Sequence, residues 1–119
     1  MKIIIKIGTS ALTDKDGFLN KQYISEFSNS IADLKADGND IVIVSSGAIG
    51  AGRRQLNALK PTTVRQKQAL AAIGQPLIMS AYSQALSKYN INAAQLLLTR
   101  DNFDNRNKYI NIRNTLAEL

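Results

Sequence analysis

At 119 residues the chain is long enough for one modest domain with a hydrophobic core, and its composition, 45% hydrophobic and 20% charged, is that of an ordinary globular protein. No apolar run approaches the length that spans a bilayer, the isoleucine run of the first strand is too short for a signal-peptide core, and the absence of cysteine excludes a disulfide framework; these points favour a cytoplasmic protein. The net charge of +6, from 15 Lys+Arg and 9 Asp+Glu, is scattered rather than clustered, which argues for a solvated surface with an anionic small-molecule site over a nucleic-acid surface, and with no histidine the chemistry has to come from Lys, Arg, Asp, Ser, Asn and backbone amides.

The segment Lys2–Ile7 is β-branched and stops at Gly8, the pattern of a strand. Residues 8–19 carry Gly, Thr, Ser and Asp and read as a loop. Asn20 is placed to cap a helix running to about Asp37, with Ile24, Phe27, Ile31 and Leu34 at helical spacing and Gly38 as its stop. Residues 41–44 predict a second strand, apolar on both faces as in a buried parallel sheet. Residues 45–52 form the next loop, which opens into a short helix near 53–56. Pro61 and Thr62 introduce a longer helix, expected to be interrupted at Gly74-Gln75-Pro76 because proline cannot donate to the carbonyl four residues back. It resumes with Leu77, Ile78, Ala81, Tyr82, Ala85, Leu86 and Tyr89 on one face. Residues 93–98 predict a third strand. Asp101 or Asn102 caps a last helix with Tyr109, Ile112 and Leu116 on its inner side.

This alternation predicts an α/β fold with a parallel-rich sheet sandwiched by helices. The last helical pattern reaches Leu119 without a glycine stop or a basic final turn, and three parallel strands leave an uncovered edge. Both features lead to the expectation that the chain is part of a longer domain.

In an open parallel sheet, ligands bind beyond the carboxyl ends of the strands. Two glycine-bearing loops fall there. In Lys6-Ile-Gly-Thr-Ser10 the lysine lies among isoleucines and needs an anion or water. Gly8 lets the backbone come close, and the amides of Thr9 and Ser10 can point at phosphate oxygens. A lysine that snorkels from a strand end gives the same pattern. The second loop, Ser45-Ser-Gly-Ala-Ile-Gly-Ala-Gly52, opens a helix whose free amides make an anion site, and its serines add hydroxyls. It has neither the Gly-Lys-Ser/Thr end of a Walker loop nor the dinucleotide register, and its glycines would equally serve tight strand–helix packing. Residues 96–116 read as a polar helix start, in which Arg106 or Arg113 could clamp a carboxylate or simply be solvated.

The run Lys6-Ile-Gly-Thr-Ser10, residues 41–52, Lys67-Gln-Ala-Leu-Ala-Ala-Ile-Gly-Gln75, and Leu97-Leu-Thr-Arg100 with Arg106, Tyr109, Asn111, Arg113, Thr115 and Leu116 resemble, in order and spacing, the amino-acid kinase family and within it the glutamate 5-kinases. The resemblance covers essentially the whole chain. The first two motifs are shared with aspartate, acetylglutamate, carbamate and uridylate kinases, whereas the last two belong to the glutamate 5-kinase group. Gly50 stands where alanine is frequent, and Asn102 where an acid is frequent.

The resemblance implies an acceptor site and an ATP site along the carboxyl edge of the sheet. It implies ATP, carrying Mg²⁺, as the donor and L-glutamate as the acceptor. The product is glutamyl 5-phosphate, in the first step of proline biosynthesis. It implies that Lys6 contacts the transferring phosphoryl group, that Ser46 with the backbone of Gly47 and Ala48 binds glutamate, and that Gly8, Thr9 and Ser10 line the phosphate path. It further implies a cytoplasmic homo-oligomer without membrane attachment. Residues 1–119 would then be the acceptor-binding half of a kinase domain, inactive alone, with the ATP-binding half and any PUA domain beyond it. A carboxylate acceptor, with a reference pKa near ~4.3, is already ionised at neutral pH and needs no general base, in keeping with a chain lacking histidine. The competing readings are a sibling kinase acting on another carboxylate or a carbamate, a non-catalytic nucleotide- or RNA-binding module, and a structural or assembly domain.

Overall fold

Two parallel strands set the frame of the domain. In a computed structural model describing residues 1–119, β1 (Lys2–Ile7) pairs with β2 (Asp40–Ser45), in register from Lys2↔Asp40 to Ile7↔Ser45. The crossover between them contains a one-turn helix, α1 (Thr9–Leu12), and the longer α2 (Lys21–Ala36). After β2 come α3 (Ala48–Gln55) and α4 (Val64–Ser87), then the short α5 (Asp101–Asp104) and α6 (Arg106–Glu118).

Local signals account for most boundaries. The Asn20 side chain accepts a hydrogen bond from the Tyr23 amide and caps α2, and Gly38, with φ of +79°, takes the left-handed turn beyond its end. Thr63 and Gln66 form a reciprocal capping box that starts α4. The residues between α1 and α2 close through an antiparallel bridge between Thr13 and Leu19, so this stretch is an ordered loop flanked by helix rather than loop throughout.

The core lies on one face of the sheet. Ile7, Leu12, Ile24, Ile31, Ile78 and Tyr82 are buried together, and Ile5, Ile41 and Ile43 pack against them. Along β1 the burial alternates, because successive side chains point to opposite faces. The other face leaves Ile4 67% and Val44 49% exposed. The expectation that the second strand is buried on both faces is therefore not met: α2 and α4 cover only the face bearing Ile41 and Ile43.

Three further expectations are corrected. The helix expected near 53–56 begins at Ala48, because Gly47, with φ of +101°, turns the chain into it directly from the strand end. The helix expected to break at Gly74-Gln75-Pro76 runs unbroken from Val64 to Ser87. Pro76 removes one hydrogen bond, but the orphaned carbonyl belongs to Ala72, and both residues face solvent. Leu70 before the proline and Ile78, Tyr82 and Leu86 after it are all buried, and burial worth about 1.5–3 kcal/mol per large side chain outweighs the loss. Residues 93–98 form no strand, so the sheet has two strands rather than three. Ala93 and Ile91 pack against the core, but Ala94 and Gln95 favour strand weakly, and Leu97 is 75% exposed.

The last helix is capped by Asn105, whose side chain accepts from the amides of Asn107 and Lys108. Asn102 instead accepts from the amide and hydroxyl of Thr99 in the preceding turn. α6 packs chiefly on α5, aided by a Lys108–Asp101 ion pair. Its expected inner side is only half realised: Ile112 and Leu116 are partly covered, while Tyr109 is exposed.

Candidate active site

The carboxyl ends of β1 and β2 lie side by side, since Ile7 and Ser45 are the last register pair, and this adjacency brings the two glycine-bearing loops together. The Thr9 and Ser46 hydroxyl oxygens are 3.3 Å apart, and Ser46 also donates to the carbonyl of Ile7 at 3.2 Å. With the one Ser46 proton on that carbonyl, the Thr9 hydroxyl is the donor in the pair, and lone pairs on both oxygens remain free to accept. An anion held by Ser46 requires its proton to swing away from Ile7.

The glycines around this junction serve different ends. A Cβ at Gly47 would stand 3.6 Å from Thr9 Cγ2, ordinary contact, so at this position the left-handed backbone is what demands glycine. At Gly8 the backbone is extended, with φ of −79°, and a Cβ would meet nothing within 4 Å. Neither strain nor packing within the chain asks for glycine there, and the residue leaves open space at the strand end. Beyond it, the amides of Thr9 and Ser10 belong to the first turn of α1 and have no carbonyl partner within that helix. A helix of four residues has little macrodipole, so these amides would act as direct donors only.

Lys6 pairs with Val44 in register one step before the strand ends, on the open face of the sheet. It is exposed and takes no part in the three ion pairs of the chain, which join Lys35 to Asp40, Arg100 to Asp104 and Lys108 to Asp101. Ala48 opens α3 behind the loop, and its carbonyl lies against Gly74 of α4. The structure thus gathers Gly8, Thr9, Ser46, Gly47 and Ala48 at one edge, with Ser10 on the outer side of α1 and Lys6 on the adjoining sheet face. Arg106 and Arg113 lie apart on α6, exposed.

Sequence reasoning placed Tyr82 on the inner face of its helix but did not find its contact with this site. Its hydroxyl lies 3.3 Å from Ser45 Oγ, and the ring is 4% exposed, packed edge-on to Phe27 at 6.4 Å between centroids. Burial pushes the Tyr82 phenol above its ordinary pKa of 10.0, with the Ser45 hydrogen bond partly opposing the rise. This contact ties the loop after β2 to α4, and a pair 37 residues apart leaves no local signal.

Parallel strands joined by a helical crossover, with glycine-bearing loops meeting at their carboxyl edge, make an α/β domain of the open parallel type, in which that edge is the usual place for ligands. The Amino acid kinase family matches residues 1–119, and the chain belongs to that family. It is 45% identical over 120 residues to the glutamate 5-kinase of Caldanaerobacter subterraneus subsp. tengcongensis, an alignment covering 100% of this chain and 32% of that protein. It is 43% identical over 120 residues to the glutamate 5-kinase of Thermoanaerobacter sp., again 100% of this chain and 32% of the relative. To that of Bacillus cereus it is 42% identical over 119 residues, 99% of this chain and 32% of the relative. The chain spans about a third of the length of the curated relatives it matches.

Proposed function

We propose that residues 1–119 form the acceptor side of an ATP-dependent kinase that phosphorylates the side-chain carboxylate of L-glutamate. The observation that carries this reading is the Thr9–Ser46 junction at the strand ends, with open space beside Gly8, in a chain 45% identical to a glutamate 5-kinase. In this reading Ser46 and the backbone of Gly47 and Ala48 hold glutamate, and Gly8, Thr9 and Ser10 border the path of the phosphoryl group. A carboxylate oxygen forms a bond to the γ-phosphorus of ATP, the bond from that phosphorus to the β–γ bridging oxygen breaks, and ADP leaves. The acceptor is already an anion, so no base takes a proton. The barrier is the approach of two negative charges, which Lys6 lowers by neutralising the transferring group.

In this reading Mg²⁺ enters as the counter-ion of ATP, and an ATP-binding half beyond residues 1–119 completes the ATP site. In this reading the 119 residues alone do not turn over. The product would feed proline biosynthesis in the cytoplasm, and a homo-oligomer is the expected assembly. No helix of the chain is long and apolar enough to cross a membrane.

The test is a chimera in which residues 1–119 replace the matching third of the Caldanaerobacter relative. With glutamate and Mg-ATP it should form an acyl phosphate, trapped as the hydroxamate, whereas the isolated chain should not. Lys6→Ala in the chimera should lower turnover by orders of magnitude with glutamate still bound. A folded chimera that prefers another carboxylate or a carbamate, or near-normal turnover of the Lys6 variant, would overturn the reading or the role.

A further inference from the structure

We propose a second anion site, separate from the Thr9–Ser46 junction: a basic cavity beside α3 that binds a diphosphate group. The cavity has a volume of about 370 Å³ and lies between α3, the loop after α1 and the connection from α3 to α4. Arg53, Arg54, Lys60 and Lys67 line it, and no lining residue is acidic. It shares none of Lys6, Gly8, Thr9, Ser10, Ser46, Gly47 or Ala48 with the candidate active site.

Three observations point to a ligand. None of the four cations belongs to an ion pair of the chain, so their charge is uncompensated within the protein. The nearest acids of the neighbouring turn do not serve them: Asp14 accepts from the amides of Asp16 and Phe18, and neither Asp14 nor Asp16 lines the cavity. Arg54 is positioned rather than free. Its guanidinium sits 3.9 Å above the centre of the Phe18 ring, while its Nε is buried without a hydrogen-bond partner.

The chemistry of the lining selects the ligand class. Four cations facing one cavity repel each other, and a monovalent anion would leave most of that repulsion in place. Two guanidinium groups offer paired donors suited to phosphate oxygens, and the two ammonium groups add compact charge. A diphosphate, as inorganic pyrophosphate or as part of a nucleoside diphosphate, carries several negative charges in one compact group, to match a lining of four cations.

The test is calorimetric titration of the 119-residue chain with inorganic pyrophosphate, at ionic strength held constant with chloride. Saturable binding is expected. The double variant Arg53→Ala/Lys60→Ala, altered at two exposed positions, should keep its circular dichroism and weaken binding at least tenfold. Lys21→Ala/Lys88→Ala, which removes as much charge around a different surface hollow, should bind as the parent does. A nucleoside diphosphate binding equally, with the same loss in the Arg53/Lys60 variant, assigns the ligand to nucleotides. Much weaker nucleotide binding assigns it to free pyrophosphate. A non-saturating response, an unchanged affinity in the Arg53/Lys60 variant, or an equal loss in the Lys21/Lys88 control would overturn the proposal.

Discussion

Gly52 of α3 and Gly74 of α4 meet backbone to backbone. A Cβ on Gly74 would stand 2.5 Å from the amide nitrogen of Gly52 and collide with the carbonyl of Ala48, while one on Gly52 would stand 3.0 Å from the Gly74 nitrogen and collide with the Leu70 carbonyl. The two helices therefore cross at a separation that no side chain allows. Because α3 begins at Ala48, directly behind Ser46 and Gly47, this crossing also sets where the loop after β2 sits.

For Gly74→Ala, helix propensity alone predicts a gain of about 1 kcal/mol. The colliding atoms are backbone and cannot rotate aside, so overpacking at the top of its usual range of about 1–3 kcal/mol or beyond prevails. Urea denaturation should show a net loss of about 2 kcal/mol. A variant as stable as the parent would mean that the helices do not cross here.

Tyr82 makes stability depend on alkaline pH. Its folded pKa is raised, so the native state holds the phenolic proton more tightly than the unfolded chain does. This contribution is fully present below the ordinary value of 10.0 and is lost as pH rises through the higher folded value. Melting temperature should fall above pH 10.0, and Tyr82→Phe should remove that part of the fall. Identical alkaline profiles for the two proteins would show that Tyr82 is not buried as described.

Ser46→Ala, made in the chimera, deletes both the Ile7 and Thr9 contacts but leaves the Gly47 turn and the α3 start intact. The loss of one hydroxyl to a charged substrate, about 1.5–3 kcal/mol, should raise the glutamate KM by tenfold or more with a smaller effect on kcat. An unchanged KM would remove Ser46 from the acceptor site.

Asn20→Ala removes the side-chain acceptor for the Tyr23 amide at the start of α2. The expected loss is about 1 kcal/mol of stability in denaturant unfolding, with no change in pyrophosphate binding. A neutral substitution would indicate that solvent caps the helix equally well.

Elements with local causes could be read directly from residue order. The β-branched run of β1, the Asn20 cap, the Gly38 stop and the apolar period of α2 each act within a turn or two of chain, and all appear as expected. The two candidate loops were legible for the same reason, since glycine and serine after a strand carry their meaning in sequence order. Tertiary structure alone decided the rest. Whether Pro76 breaks a helix depends on what the residues on either side bury, and whether residues 93–98 become a strand depends on a ladder partner. The pairs Thr9–Ser46 and Ser45–Tyr82 each span 37 residues, and Arg54 reaches Phe18 across a loop. Such contacts exist only because burial of a shared apolar face brings distant segments together, and that free energy belongs to the assembled core rather than to any short stretch of chain.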